Sequence, residues 1–223
     1  MEIDLENERT KKKKGQIKKL HIFIVSALLL MLFLTPTILF AASYCFNQIL
    51  ARAPLLLNSK LTPAELATVK YILWKEDDGE LAALETYLQD SGLEWEKETL
   101  RDFAGSKAVK YTAQICISQE KEYQALDFYH NLNLQAKRFK AQAYFAEWIN
   151  FAVDPANMCL KLGITPHFWV KTPGLVSWSG YHPALPGAII ADGKRINYQL
   201  LTTNGSRTVE KTVLAVPALL EDF

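Results

Sequence analysis

The sequence predicts an α+β protein with a single N-terminal transmembrane helix, followed by a helical layer packed on an antiparallel sheet. Three observations lead to this fold class: an uncharged apolar stretch over 22–46, helical spacing of apolar residues through most of 62–163, and strand-like segments separated by turn residues over 164–223. Helical segments followed by a series of hairpins are typical of α+β domains. With 49% hydrophobic residues among 223, the composition excludes a disordered chain.

Residues 1–20 form a basic tail, and residues 21–46 a transmembrane signal-anchor helix. The tail carries seven basic and four acidic residues, whereas none is charged from Ile22 to Phe46. About 20 helical residues cross a hydrocarbon core of ~30 Å, so this stretch is long enough to span a bilayer. Lysines before the span predict a cytoplasmic N-terminus in a cell membrane, most simply a bacterial inner membrane. Residues 47–223 are then periplasmic or extracellular.

A cleaved secretory signal is the alternative interpretation of the same segment. A basic start, an apolar core and the small residues Ala41-Ala42-Ser43 match that pattern. The apolar run exceeds the usual 7–15 residues, however, and no polar break follows it, which favours an uncleaved anchor. Tyr44 stands where a small residue is wanted before Cys45, which argues against a lipid-modified cysteine.

Local signals divide the exocytoplasmic part into a connector over 47–61, a mainly helical region over 62–163 with one strand, and β-hairpins over 164–223. Capping residues and apolar spacing predict helices near 63–75, 78–91, 93–104, 119–152 and 155–163. Period-two alternation predicts a strand over 108–118, and later runs predict strands near 167–171, 175–180, 187–191, 194–203 and 207–216. Asp192-Gly193 and Asn204-Gly205 predict hairpin turns, because both dipeptides accept the positive φ of a type I′ turn.

The most distinctive chemical feature is a group of aromatic residues near the start of the hairpin region: Phe168, Trp169, Trp178 and Tyr181. Trp and Tyr are enriched at protein interfaces, so these residues are candidate binding residues, although they would also suit a sheet core. We therefore expect a non-catalytic scaffold or partner-binding subunit of a cell-envelope complex of the secretion or conjugation kind. Its expected partners are the lipid bilayer and other envelope proteins or a second copy of the chain. Near-balanced charge gives no reason to expect nucleic-acid binding.

A membrane-anchored envelope hydrolase is the alternative function. His182 would act as general base, with Ser179 and Asp192 nearby in sequence. No G-x-S-x-G motif, phosphate loop or dinucleotide fingerprint accompanies them, so no cofactor is predicted. The histidines and cysteines lack zinc-ligand spacing, and no metal site is predicted either.

Cys116 and Cys159 are predicted to form a disulfide. Outside the cytoplasm, thiols oxidise where geometry allows, and the long segment between the two residues could return the chain to its start. Cys45 would remain free in or near the membrane.

Overall fold

The computed structural model describes residues 55–77, 81–101, 107–164, 166–204 and 210–220. The predicted tail (1–20), the predicted span (21–46) and the first part of the predicted connector (47–54) lie outside the described residues. Among the helices that are described, none has the length and apolar character needed to cross a bilayer.

Ten strands and three helices make up the described part of the chain. In chain order they are β1 (Leu66–Lys75), α1 (Leu81–Asp90), β2 (Glu96–Arg101), β3 (Lys107–Ser118), α2 (Glu122–Arg138), β4 (Gln142–Ile149), α3 (Pro155–Leu162), β5 (Pro166–Thr172), β6 (Gly174–Gly180), β7 (Ile189–Ala191), β8 (Lys194–Ile196), β9 (Tyr198–Asn204) and β10 (Thr212–Val216). A 3₁₀ turn, Gln119–Lys121, precedes α2.

Eight of these strands form one antiparallel sheet in the order β2-β3-β1-β4-β10-β9-β6-β5, and β7 pairs with β8 in a separate two-stranded sheet. From β1 to β4 the chain follows the βαββαβ order of a split βαβ unit, as in ferredoxin-like folds. Strands β5, β6, β9 and β10 form a meander that joins this unit where β10 pairs with β4. The α+β class and the antiparallel sheet are therefore confirmed.

The helices cover one face of this sheet and enclose the core. Tyr129 of α2 is fully buried, and its ring centroid lies 5.5 Å from that of Phe145 on β4. Tyr71 on β1 packs edge-on against Phe128 of α2, with ring centroids 4.8 Å apart. On the second half of the sheet, Leu200 and Leu214 extend the same core.

The helix predicted over 63–75 is wrong, since this segment is the central strand β1. Val69, Tyr71 and Leu73 point into the core at period two, while Ile72 on the opposite face is also buried. Burial on both faces produces an almost continuous apolar run, which matches helical spacing as well as a strand. The Thr62 hydroxyl does accept from the Ala64 backbone N–H, but no helix follows.

Two further helix predictions in the amino-terminal region are corrected. The segment 93–104 contains β2, an exposed strand whose register on β3 places Glu98 opposite Lys110. The predicted helix 119–152 ends at Arg138, and after the left-handed Lys140 (φ 53°) the chain continues as β4. The described residues within 62–163 therefore form four strands and three helices rather than one strand in a mainly helical layer.

Predictions that rest on strong local chemistry are confirmed. β3 covers the alternating segment, and α3 begins after Asp154, whose side chain accepts from the Ala156 N–H at 3.0 Å. Gly163 ends α3 in the left-handed conformation with φ 61°. The Asp192-Gly193 turn has φ values of 47° and 71°, as a type I′ hairpin requires. Residues 205–209 lie outside the described part, so the turn predicted at Asn204-Gly205 stays a prediction.

The described half of the predicted connector is part of the core. Leu55, Leu56 and Leu57 are buried, and the turn that carries them donates its backbone N–H groups to carboxyl groups inside the domain. Leu56 N lies 3.1 Å from Glu147 Oε2, and Leu57 N lies 2.5 Å from Glu122 Oε1. This turn is therefore held by contacts to α2 and β4.

Candidate functional site

The four aromatic residues predicted to bind a partner lie at three different places in the structure. Trp169 on β5 lies directly opposite Trp178 on β6 in the strand register, so the two side chains share one face of the sheet. Phe168 precedes Trp169 and therefore lies on the opposite face. Lys194 covers Phe168, with its Nζ 5.2 Å from the ring centroid. Tyr181 follows β6 and lines a separate groove.

The strand that carries Phe168 and Trp169 lies at one end of the eight-stranded sheet. Among the described residues β5 pairs with β6 alone, so its outer edge has no strand partner. Trp169 is 64% exposed and Val170 is 58% exposed. We refer to Phe168, Trp169 and Val170 as the β5 edge. An exposed apolar edge strand offers unpaired backbone groups and apolar side chains to another chain at the same place.

A second candidate surface is a groove of about 520 Å³ between α2 and β4 on one side and the β7–β8 hairpin on the other. We refer to it as the β4–β7 groove. It is lined by Asn133, Lys137, Ala141, Gln142, Ala143, Tyr144, Tyr181, Leu185, Gly187, Ala188, Ile189, Ile190, Arg195 and Pro217. Its size is within the range of sites that bind small molecules or peptide segments.

The charged residues that line the β4–β7 groove are all basic. Lys137 and Arg195 line it, whereas none of its lining residues is an aspartate or a glutamate. The Arg195 guanidinium lies over the Tyr181 ring, 4.8 Å from its centroid. Asn133 is only 9% exposed, and its side chain lines the groove. Such an arrangement favours an anionic ligand with hydrogen-bonding groups.

Sequence reasoning identified Tyr181 but missed Asn133, Lys137 and Arg195. Lys137 and Asn133 lie on a helix with ordinary amphipathic spacing, and Arg195 follows a hairpin turn, so each has an unremarkable local context. Only the docking of the hairpin beside α2 brings them to one groove. The one feature of the groove that the sequence shows is the apolar pair Ile189-Ile190 before the Asp192-Gly193 turn. In the structure both residues are exposed.

The residues of the alternative hydrolase site are not joined by hydrogen bonds within the described part of the structure. His182 Nδ1 accepts from the Ala184 N–H at 3.2 Å, and Asn197 Oδ1 accepts from the His182 backbone N–H at 2.7 Å. Ser179 lies within β6, and Asp192 occupies the hairpin turn. Burial lowers the pKa of His182. The hydrogen bonds that His182 makes with Ala184 and Asn197 therefore stabilise the loop in which it lies.

The side chain of Asn197 holds that loop in place. Its side-chain Nδ2 donates to the carbonyls of His182, at 2.9 Å, and Leu185, at 2.8 Å, and it lies fully buried between β8 and β9. Since Leu185 and Gly187 line the β4–β7 groove, Asn197 positions one wall of the groove. Among the described residues, no cluster of three or more His, Cys, Asp or Glu side chains could hold a metal ion.

The disulfide predicted between Cys116 and Cys159 is not formed, and both residues are free thiols. Cys116 is exposed on β3, whereas Cys159 is buried on α3, which packs on β6 and β9. Four inter-strand spacings separate β3 from β9, about 19 Å at ~4.8 Å each. Bridged Cα atoms must lie within about 7 Å. Burial raises the pKa of the Cys159 thiol to about 11.

Comparisons with known proteins leave the function open. No protein-family model matches the sequence, and no curated protein sequence matches it. Among solved structures, the chain is similar to one described as the crystal structure of aspartokinase alpha and beta subunits, at 7% identity over 69% of this chain and 86% of that one. The TM-score of 0.19 is too low for this likeness to support any inference.

Proposed function

We propose that this protein is a non-catalytic, single-pass membrane protein whose exocytoplasmic domain binds partner proteins in a cell-envelope complex. The observation that carries the proposal is the β5 edge, where Trp169 and Val170 are exposed on a strand without an outer partner. Natural proteins usually protect such edges with charges, prolines or a covering element. Pro166 and Lys171 lie near the two ends of β5, and the exposed apolar residues between them favour pairing with another chain. We infer that an extended segment of another envelope protein adds to β5 as a further strand.

The side chains of the β5 edge suit this mode of recognition. Main-chain hydrogen bonds provide affinity in strand addition, and alternate side chains provide specificity. Trp169 supplies a large apolar surface that loses little conformational entropy on binding, and Trp178 lies opposite it in the strand register. Phe168, on the other face, contributes less because Lys194 already covers it.

Replacing Trp169 by serine should weaken partner binding by ten-fold or more, because tryptophan anchors at interface centres contribute about 2 kcal/mol or more. A photo-crosslinking amino acid at position 170 in the full-length protein, irradiated in native membranes, measures binding as the yield of a defined adduct. Leu160→Ser is the matched control, since Leu160 is an equally apolar side chain, 79% exposed on α3 and outside the β5 edge. Equal losses in both variants, or none in W169S, would contradict the proposal. An adduct of twice the chain mass would identify the partner as a second copy.

The membrane topology gives a separate prediction. Protease added to sealed spheroplasts that express the full chain should remove the domain after residue 47 and spare residues 1–20, because lysines precede the apolar stretch. Epitope tags at the two ends follow the fragments. Protection of the domain would contradict the proposed location. A mature chain that starts near Tyr44 on amino-terminal sequencing would instead identify a cleaved signal.

A further inference from the structure

The β4–β7 groove opens where two paired strands separate. β1 accompanies β4 as far as Gln142, which pairs with Trp74, whereas β10 pairs only with Phe145–Ile149. Residues 142–144 therefore have β1 on one side and the groove on the other, and all three line it. Pro217 follows the last residue of β10 and cannot extend the pairing, because proline has no backbone N–H.

One side chain marks the point of separation. The Tyr129 hydroxyl lies 3.2 Å from the carbonyl oxygens of both Ala143 and Val216, so its single hydrogen is shared between the two separating strands. Gly187, on the opposite wall, has φ 72°, and a Cβ there would lie 3.7 Å from the same hydroxyl. The Tyr129 hydroxyl therefore lies between the two separating strands and close to Gly187.

A second strand edge lies across the groove. Among the described residues β7 pairs with β8 alone, and its residues Ile189 and Ile190 line the groove. Ile190 is 67% exposed. A chain in the extended conformation, placed between the two walls, would meet the unpaired edge of β4 on one side and apolar β7 side chains on the other. Strand addition uses this combination of backbone edge and apolar contacts.

Charge and hydrogen-bonding groups identify what such a chain should carry. Lys137 and Arg195 contribute two positive charges, and no carboxylate of the lining residues offsets them. The amide of Asn133, which lines the groove, combines a donor and an acceptor, as a peptide group does.

We propose that the β4–β7 groove binds an extended, acidic peptide segment of a partner protein. The segment pairs with residues 142–144, its main chain hydrogen-bonds to the amide of Asn133, and its carboxylate lies between Lys137 and Arg195. This site is distinct from the β5 edge and does not depend on the proposed function.

Peptide selection tests the charge preference directly. The full-length protein in detergent micelles is presented with a random library of displayed seven-residue peptides. The wild type should enrich Asp or Glu beside β-branched residues, whereas Lys137→Glu combined with Arg195→Glu should enrich Lys or Arg instead. The selected acidic peptides should bind this variant at least ten-fold more weakly. Lys171→Glu, an exposed charge reversal on β5 outside the groove, should retain the acidic preference.

Amide hydrogen exchange on the complex with the best selected peptide tests the binding mode. Exchange should slow at residues 142–144 and stay unchanged at 168–170. Lys137→Glu alone, a change on the exposed side of α2, provides the reversal if the double variant unfolds. The inference is overturned if no acidic residues are enriched, if the reversal leaves the preference intact, or if exchange at 142–144 does not change. Each of these results leaves the crosslinking at position 170 unaffected, so the two proposals fail separately.

Discussion

Replacing Glu122 by alanine is expected to lower the free energy of unfolding by about 3–5 kcal/mol. Its fully buried carboxylate accepts from the backbone N–H of Leu57 at 2.5 Å, from the backbone N–H of Asn58 at 2.8 Å, and from Asn58 Nδ2. Alanine leaves the two backbone donors without an acceptor, and Leu57 is buried where water reaches it poorly. Each unsatisfied buried donor costs about 1–3 kcal/mol, and the turn that holds Leu55–Leu57 in the core loses its main attachment.

Urea unfolding of the full-length chain, followed by tryptophan fluorescence, measures this loss. Glu120→Ala is the matched control, because Glu120 lies two residues earlier on the exposed side of the 3₁₀ turn and should change stability by less than about 0.5 kcal/mol. Glu122→Gln keeps one carbonyl acceptor and should lose less than the alanine variant. If E122A unfolds at the same urea concentration as E120A, the turn is not held by this carboxylate.

The second large effect concerns Glu147 and the pH dependence of stability. Glu147 is fully buried on β4, and burial raises its pKa, with the neighbouring Glu122 carboxyl group adding to the increase. The folded protein therefore keeps this proton to a higher pH than the unfolded chain, in which a glutamate titrates near ~4.3. The stabilising contribution is fully present below about pH 4.3 and is lost as the pH rises through the folded-state pKa.

Glu147→Gln should remove this pH-dependent contribution to stability, because glutamine has the shape and neutrality of the protonated acid. Relative to the wild type, the variant should gain stability as the pH rises above about 4.3, by up to ~1.4 kcal/mol per pH unit until the folded-state pKa is passed. Urea unfolding from pH 4.5 to 8 gives the difference between the two curves. Glu65→Gln, at an exposed position, should leave the curve unchanged. A constant difference between wild type and E147Q across this range would contradict the assignment.

The buried carboxyl groups also show why polar contacts in the core could not be predicted from the sequence. Glu122 and Glu147 look like ordinary charges within amphipathic segments, and no local rule distinguishes them from the exposed Glu120. Their partners lie 65 and 91 residues away in the chain. Such contacts arise only when β4 and α2 pack together and the segment 55–60 folds onto both. The β4–β7 groove has the same origin, since Asn133 and Arg195 come from elements that meet only in the folded domain.

Sequence alone determined the features that depend on neighbouring residues. Asp154 and Gly163 delimit α3 because a side-chain acceptor and a left-handed glycine act within one helical turn. Asp192-Gly193 specifies its hairpin because two successive residues accept positive φ. The alternation in β3 is visible because only one face of that strand is covered.

The tertiary structure alone decided the identity of β1 and the length of α2. Val69 and Ile72 are buried on opposite faces of β1, so the apolar pattern lost the period that distinguishes a strand from a helix. The continuous apolar pattern after Arg138 became β4 because its main chain pairs with β1 and β10 on its two sides. A central strand takes its hydrogen-bond partners from distant parts of the chain. The interactions that favour a strand over a helix at these positions therefore cannot be inferred from any short stretch of the sequence.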